Sequence, residues 1–230
     1  MKQGTPSASH AGTGVPERPL SRTMSGQITA RIREKILAGD YSPGSALLQD
    51  SIAAEFGTSK IPVREALVQL RSEGLVDIFA HRGFQVRRLS PGEVEEVFRL
   101  RLAIEPRSAA TGARSAAPED RAAAGVALIA LNEALAESDL KRSGDLNCAF
   151  HLSLVVPRLQ PVTSDLLYRL HTLAQRYVRA HLQPAGRVRR AIAEHSALHD
   201  AWAARKARET ERLLRIHIAE TRRELAEALP

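Results

Sequence analysis

The run Ser59-Lys60-Ile61-Pro62-Val63-Arg64-Glu65-Ala66-Leu67, continued by Leu70, Glu73-Gly74-Leu75-Val76 and His81-Arg82-Gly83-Phe84, leaves few folds open to the first third of this chain. Pro62 is tolerated in a helix only within the first turn, where its missing N–H would have no partner in any case, so the helix starts just before it with Ser59 as N-cap. Ala66, Leu67 and Leu70 recur at helical spacing and bury one face, while Lys60 and Arg64, four residues apart, project from another. Val76-Asp77-Ile78 and Phe84-Gln85-Val86 alternate as strands about Arg82-Gly83, which predicts a hairpin directly after the helix. Upstream, Ile28, Ile32, Ile36 and Leu37 predict a first helix closed by Gly39, and residues 51–56 a second closed by Gly57. Three short helices followed by a two-stranded wing make a winged helix-turn-helix. The third helix then carries Ser59, Lys60, Ile61 and Arg64 to double-stranded DNA, with Arg82 and Gly83 of the wing at the backbone or minor groove.

Charge agrees with a polyanionic partner: Lys+Arg number 33 against 26 Asp+Glu, a formal net charge of +7. With 230 residues, 43% of them hydrophobic, two modest cores can be buried, and two domains are expected at 22–89 and 90–230. Residues 1–21, rich in Gly, Pro, Ser and Thr, hold too little apolar surface to offset ordering entropy and read as a disordered tail. The single cysteine, Cys148, rules out an intrachain disulfide and suits a reducing compartment. No apolar run reaches membrane-spanning length, and Lys2 is followed by small and polar residues instead of an apolar signal core. A cytoplasmic protein without a membrane partner is expected.

From Ser90 the pattern becomes wholly helical, so the expected fold is mainly α: the winged domain plus a C-terminal antiparallel helical bundle. Ser90 and Glu93 have capping-box spacing and open a helix through Val94, Val97, Leu100 and Ile104, which Pro106 should bend. A second helix follows Pro118, with Val126, Leu128, Ile129, Leu131 and Leu135 apolar. A third carries Phe150 and Leu154 up to Pro157, and 162–182 makes a long amphipathic fourth. Pro184 restarts the chain into a fifth containing His195, and 213–229 forms a sixth containing His217.

Asn147 and His151 are four apart and share one helix face, onto which His195 and His217 can converge from later helices. Three imidazoles and one oxygen suit a divalent transition metal. Spacing alone also allows satisfied core histidines, and it equally offers His199, four from His195, and Cys148, three from His151. A lone helical cysteine is more often a small buried hydrophobe. Arg101 could form a surface ion pair with Glu105, or could grip a carboxylate through two parallel hydrogen bonds.

Together, 32–39 (Ile-Arg-Glu-Lys-Ile-Leu-Ala-Gly), Ser42-Pro43-Gly44, Ile52-Ala53-Ala54-Glu55-Phe56-Gly57 and 62–67 (Pro-Val-Arg-Glu-Ala-Leu) resemble the DNA-binding domain of the GntR family of bacterial transcription regulators over residues 24–90. Lys60 and Ile61 stand where that family more often has Arg and Thr or Ser. Asn147-x-x-Phe150-His151, Glu194-His195-x-x-Leu198, His217-Ile218 and Arg101-x-x-x-Glu105 resemble the FCD effector-binding domain of its FadR subgroup, closer by helix number to the VanR type. This resemblance implies a homodimer on a palindromic operator. It also implies a small carboxylate effector held by Arg101 and by a metal on Asn147, His151, His195 and His217; zinc leads, with nickel or manganese as alternatives. His199 and Cys148 match no ligand position. Asn147 replaces the family's more usual Asp, and Gln160-Pro161 a common Asn-Pro.

Two other classes of function stand beside the ligand-responsive repressor. Three histidines and an open coordination position could activate water in a metal-dependent hydrolase, but the chain has no HExxH helix or nucleophile elbow. An architectural DNA binder with a purely structural bundle needs no effector at all.

Overall fold

The structure, a computed structural model, describes residues 23–80, 82–155, 161–181 and 187–228. The expected tail at 1–21 lies outside these residues, as do His81, Pro157 and Pro184. The Thr23 hydroxyl accepts the Gly26 N–H at 3.0 Å and starts α1 (Met24–Ala38), which ends where the Gly39 N–H returns to the Ile36 carbonyl. α2 (Gln49–Glu55) and α3 (Lys60–Ser72) follow, then β2 (Val76–Phe79) and β3 (Gly83–Val86) after a short β1 (Ala46–Leu47). The sheet order is β1-β3-β2, all antiparallel, with Leu47 opposite Phe84 and Val76 opposite Val86. At two residues, β1 is too short to show an alternating pattern, and so the sequence did not announce it. Ile28 and Ile32 of α1, Leu67 and Leu70 of α3, and Val76 and Phe84 of the sheet close one core.

Six helices build the second core: α4 (Pro91–Ser115), α5 (Pro118–Ala136), α6 (Leu140–Val155), α7 (Pro161–His181), α8 (Arg187–Ala203) and α9 (Ala207–Ala228). α4 lies along α9 and against α6 and α7, and α5 packs on α6 and α8. Phe98, Phe150, Tyr177 and Trp202 are fully buried between them.

Several local expectations are corrected. Neither Ser59 nor Ser90 makes a side-chain cap hydrogen bond, although each occupies the cap position. Glu93 is drawn away to Arg87 and Tyr177. At Pro106, where a bend is expected, α4 stays continuous, which a bend allows, and the Leu102 carbonyl that a prolyl nitrogen cannot serve is reached by Arg215 at 3.5 Å. The last helix starts at Ala207, six residues before the expected start at Leu213; the break falls at Arg205, whose φ of 59° ends α8 without Gly or Pro. Val126 and Ile129 point outward at 68% and 60% exposure, because α5 buries instead the stripe Ala124, Leu128, Leu131 and Ala134.

The two cores meet along α7. Arg176 donates to the Arg87 carbonyl at the base of the wing, and the Ser90 N–H donates to the Tyr177 hydroxyl at 3.3 Å. The Leu173 side chain lies beside Gly74.

Candidate functional site

α3 presents Ser59, Lys60, Ile61 and Arg64 to solvent, with Val63, Ala66, Leu67 and Leu70 anchored beneath. Lys60 Nζ rests 2.6 Å from Asp50, and Ile61 is 72% exposed. Arg82 and Gly83 are exposed at the wing tip, where Gly83 takes a φ of +73° that a side chain would strain. Arg87 is held at the base of the wing by Glu93, 2.8 Å away. Each DNA-facing residue expected from the sequence is therefore exposed on one of two adjacent elements.

In the bundle, α6 supplies His151, α8 His195 and α9 His217, and a ring nitrogen of each lies within 4.8 Å of the others. Their ring centroids are 4.8 to 5.6 Å apart. His151 Nδ1 lies 2.8 Å from Glu105 Oε1, and His217 Nδ1 lies 2.8 Å from Glu194 Oε2. An ionised carboxylate only accepts, so each of these Nδ1 atoms carries a proton, and a neutral His151 keeps its lone pair on Nε2. Burial holds His195 well below the usual histidine range and His151 down to about 3, against the pull of Glu105, so both are neutral. His151 Nε2 and both nitrogens of His195 are buried without a hydrogen-bond partner among the described residues. Since a neutral imidazole carries one donor and one acceptor, these are two empty acceptors and one N–H; leaving the acceptors empty is costly, and a divalent cation satisfies both. Neutral imidazole donors with carboxylates behind them fit zinc or a neighbouring transition metal.

Asn147 lines the same cavity one turn before His151. Arg101 does pair with Glu105, but not at the surface as expected: its Nε lies 2.9 Å from Glu105 Oε2 with both side chains buried, and Arg101 also lines the cavity. Glu105 is pushed up by burial but brought well below the usual carboxylate range by Arg101, His171 and His151.

His171, on α7, escaped the sequence reading. Its Nε2 lies 3.1 Å from Glu105 Oε2, off the direction of a hydrogen bond. The signal was available, since His171 falls in the buried stripe of Leu167, Leu170 and Ala174. The orienting roles of Glu105 and Glu194 were not legible, because they depend on which helices become neighbours. His199 lies beside Asp200 at 3.4 Å, outside the three-histidine group. Cys148 packs against the core, and burial pushes its thiol up to about 12.

The cavity holds about 260 Å³. Beyond the histidines its wall includes Leu131 and Leu135 of α5, Val178 of α7, Val188 of α8 and Ile218 of α9, with Ser138, Ser143, Arg187 and Thr221 among the polar residues. No helix among the described residues is long and apolar enough to cross a membrane.

Comparison with known proteins places both halves. Residues 24–86 match the bacterial regulatory proteins of the gntR family, and residues 96–220 match the FCD domain. The HTH-type transcriptional regulator McbR of Escherichia coli is 25% identical over 159 residues, covering 69% of this chain and 71% of McbR. Its solved structure superimposes with a TM-score of 0.78 at 22% identity, over 89% of this chain and 98% of that one. An HTH-type regulator from an unstable DNA locus of Streptomyces ambofaciens is 39% identical over 84 residues, 36% of either chain. The gluconate operon transcriptional repressor of Bacillus licheniformis is 35% identical over 91 residues, 39% of this chain and 37% of that protein. These last two matches thus span little more than a third of the relatives' length. With one family covering the winged helices and the other more than half of the chain, the protein belongs to the GntR family of transcription regulators with a C-terminal FCD domain, and is not an enzyme.

Proposed function

We propose that this regulator is a bacterial, cytoplasmic repressor that binds a palindromic operator as a homodimer and loses affinity for it when a small carboxylate enters the bundle cavity. In this reading residues 22–89 read DNA and residues 90–230 bind effector and the second copy. Lys60, Ile61 and Arg64 enter successive major grooves from the two copies, Ser59 sits at the groove edge, and Arg82 and Gly83 meet the backbone or minor groove. The exposed Val126 and Ile129 of α5 support a second copy on that face. The repressor sense is supported by the gluconate operon relative.

The observation that carries the reading is the meeting of the His151, His195 and His217 nitrogens, held from behind by Glu105 and Glu194, in a cavity that Arg101 also lines. Those histidines would hold a divalent metal with Asn147 as oxygen donor, zinc first and nickel or manganese as alternatives. A bound divalent ion supplies a Lewis-acid centre for one carboxylate oxygen. Arg101 adds donors in a planar fork to the same anion. Because Asn147 is neutral, the site carries one more net positive charge than with an aspartate there, which favours anionic ligands.

The test starts by selecting an operator from random duplex DNA. Operator affinity is then measured by fluorescence anisotropy for zinc-loaded and chelator-stripped protein against a panel of small organic acids. An acid that releases DNA from the loaded protein and not from the stripped one is the expected result. Equal release from both removes the metal and leaves Arg101 and its polar neighbours to grip the ligand.

A further inference from the structure

Beyond the three histidines and Arg101, the cavity lining is mainly aliphatic, with a few hydroxyls and one paired cation. Going from His195 toward the start of α8, the chain offers Ala191 and then Val188, seven residues and about 10 Å along the helix axis. Leu131 and Leu135 of α5, Val178 of α7 and Ile218 of α9 add further aliphatic surface to the lining. The cationic side chain at the far end, Arg187, is already paired with Glu224 and lies 3.5 Å from the Thr221 hydroxyl. Thr221 in turn donates to the His217 carbonyl at 2.9 Å. Ser138 and Ser143 are the other hydroxyl-bearing side chains of the lining.

Resting on the carboxylate reading above, we infer that the effector is a monocarboxylate with an apolar body, and not a sugar acid or a dicarboxylate. Its head occupies the end defined by His151, His195, His217 and Arg101, and its body lies along the aliphatic side chains. A polyhydroxylated body would have only the few hydroxyls of Ser138, Ser143 and Thr221 to pair with, and its remaining hydroxyls would be desolvated against Leu, Val and Ile side chains. A second carboxylate would have to compete with Glu224 for Arg187. At about 260 Å³ the cavity falls just under the usual range for drug-sized ligands, which limits the body to a short chain or a single ring.

Acetate, hexanoate, gluconate and adipate separate these cases by calorimetric titration into the zinc-loaded full chain. Hexanoate should bind most tightly, gluconate and adipate at least about tenfold more weakly, and acetate weakly because it lacks the body. Val178→Thr keeps the shape but adds a hydroxyl, and it should narrow the gap between hexanoate and gluconate. Glu224→Gln frees Arg187 and should strengthen adipate. Gluconate or adipate matching hexanoate in the wild type overturns the inference while leaving a carboxylate site in place, and so does acetate equalling hexanoate. Binding of none of the four acids overturns the carboxylate reading and this inference together.

Discussion

Arg101 shows how far one side chain's role depends on its neighbours. Spacing offered a surface pair or an effector clamp, whereas its guanidinium is buried against a carboxylate that two histidines also approach. Arg101→Ala strands Glu105, and breaking such a pair costs about 3–5 kcal/mol. Urea midpoints should show that loss, and Glu105→Gln on the same background should recover part of it; an undisturbed midpoint would return Arg101 to a purely ligand-binding role. The buried imidazoles make a second expectation, for the metal-stripped protein. Burial lowers His151 to about 3 and lowers His195 and His171 as well, while an unfolded histidine titrates near 6.5. Below that value the unfolded chain takes up protons that the folded chain refuses. Stability is therefore complete above about pH 6.5 and falls as pH drops toward 3, by up to about 1.4 kcal/mol per pH unit for each such histidine. Denaturation midpoints that match at pH 7.5 and 5.5 would contradict it. Ile61 carries a third. An exposed isoleucine between Lys60 and Arg64 finds its natural partner in the thymine methyl of the major groove. Replacing operator thymines by deoxyuridine should weaken wild-type binding by about 1 kcal/mol per contacted methyl, and Ile61→Ala should be indifferent to the replacement.

Among the elements, α4 depends on one missing side chain. A Cβ on Gly112 would come 2.2 Å from the Leu154 carbonyl oxygen and 3.1 Å from Trp202 Nε1, two atoms that are themselves hydrogen bonded at 2.9 Å. Helix propensity alone would have Gly112→Ala stabilise by about 1 kcal/mol. The clash decides the sign, and a net loss of about 1–3 kcal/mol is expected by thermal or urea unfolding. Nothing in the sequence around Gly112 distinguishes it from a tolerated helical glycine, because the contact is made by residues more than forty positions away. The same limit explains which elements could be read. α3 and the β2–β3 hairpin were legible because Pro62, Gly83 and the apolar spacing are local constraints. The start of α9 was not, since a positive φ at Arg205 has no compositional mark. His151, His195 and His217 were named from motifs, yet their convergence, and the inclusion of His171 through Glu105, follow from how α4, α6, α7, α8 and α9 pack.

For the whole molecule, α7 is the contact between the parts. One of its faces places His171 at Glu105, and a few residues on, Arg176 and Tyr177 touch Arg87, Ser90 and Glu93 beside the wing. An acid that prefers one arrangement of α7 can shift DNA affinity only by its differential affinity for the two arrangements, and DNA must shift acid affinity by the same factor. Tyr177→Phe removes the hydroxyl that accepts from Ser90. It should cost about 1 kcal/mol of stability and reduce the ratio of operator affinities measured without and with acid; an unchanged ratio would place the coupling elsewhere. Glu105 sets a different kind of limit. One carboxylate shared by Arg101, His151 and His171 ties three helices together beside the cavity, so any exchange there is penalised in folding before it can be tried as chemistry. Val178, Val188 and Leu135 carry no such obligation. On the reading proposed above, a lineage with this bundle can wander over evolutionary time from one acid to another by exchanging aliphatic side chains while the Glu105 cluster stays frozen, and a saturation library should show the same contrast: tolerance at 135, 178 and 188, and near-silence at 105.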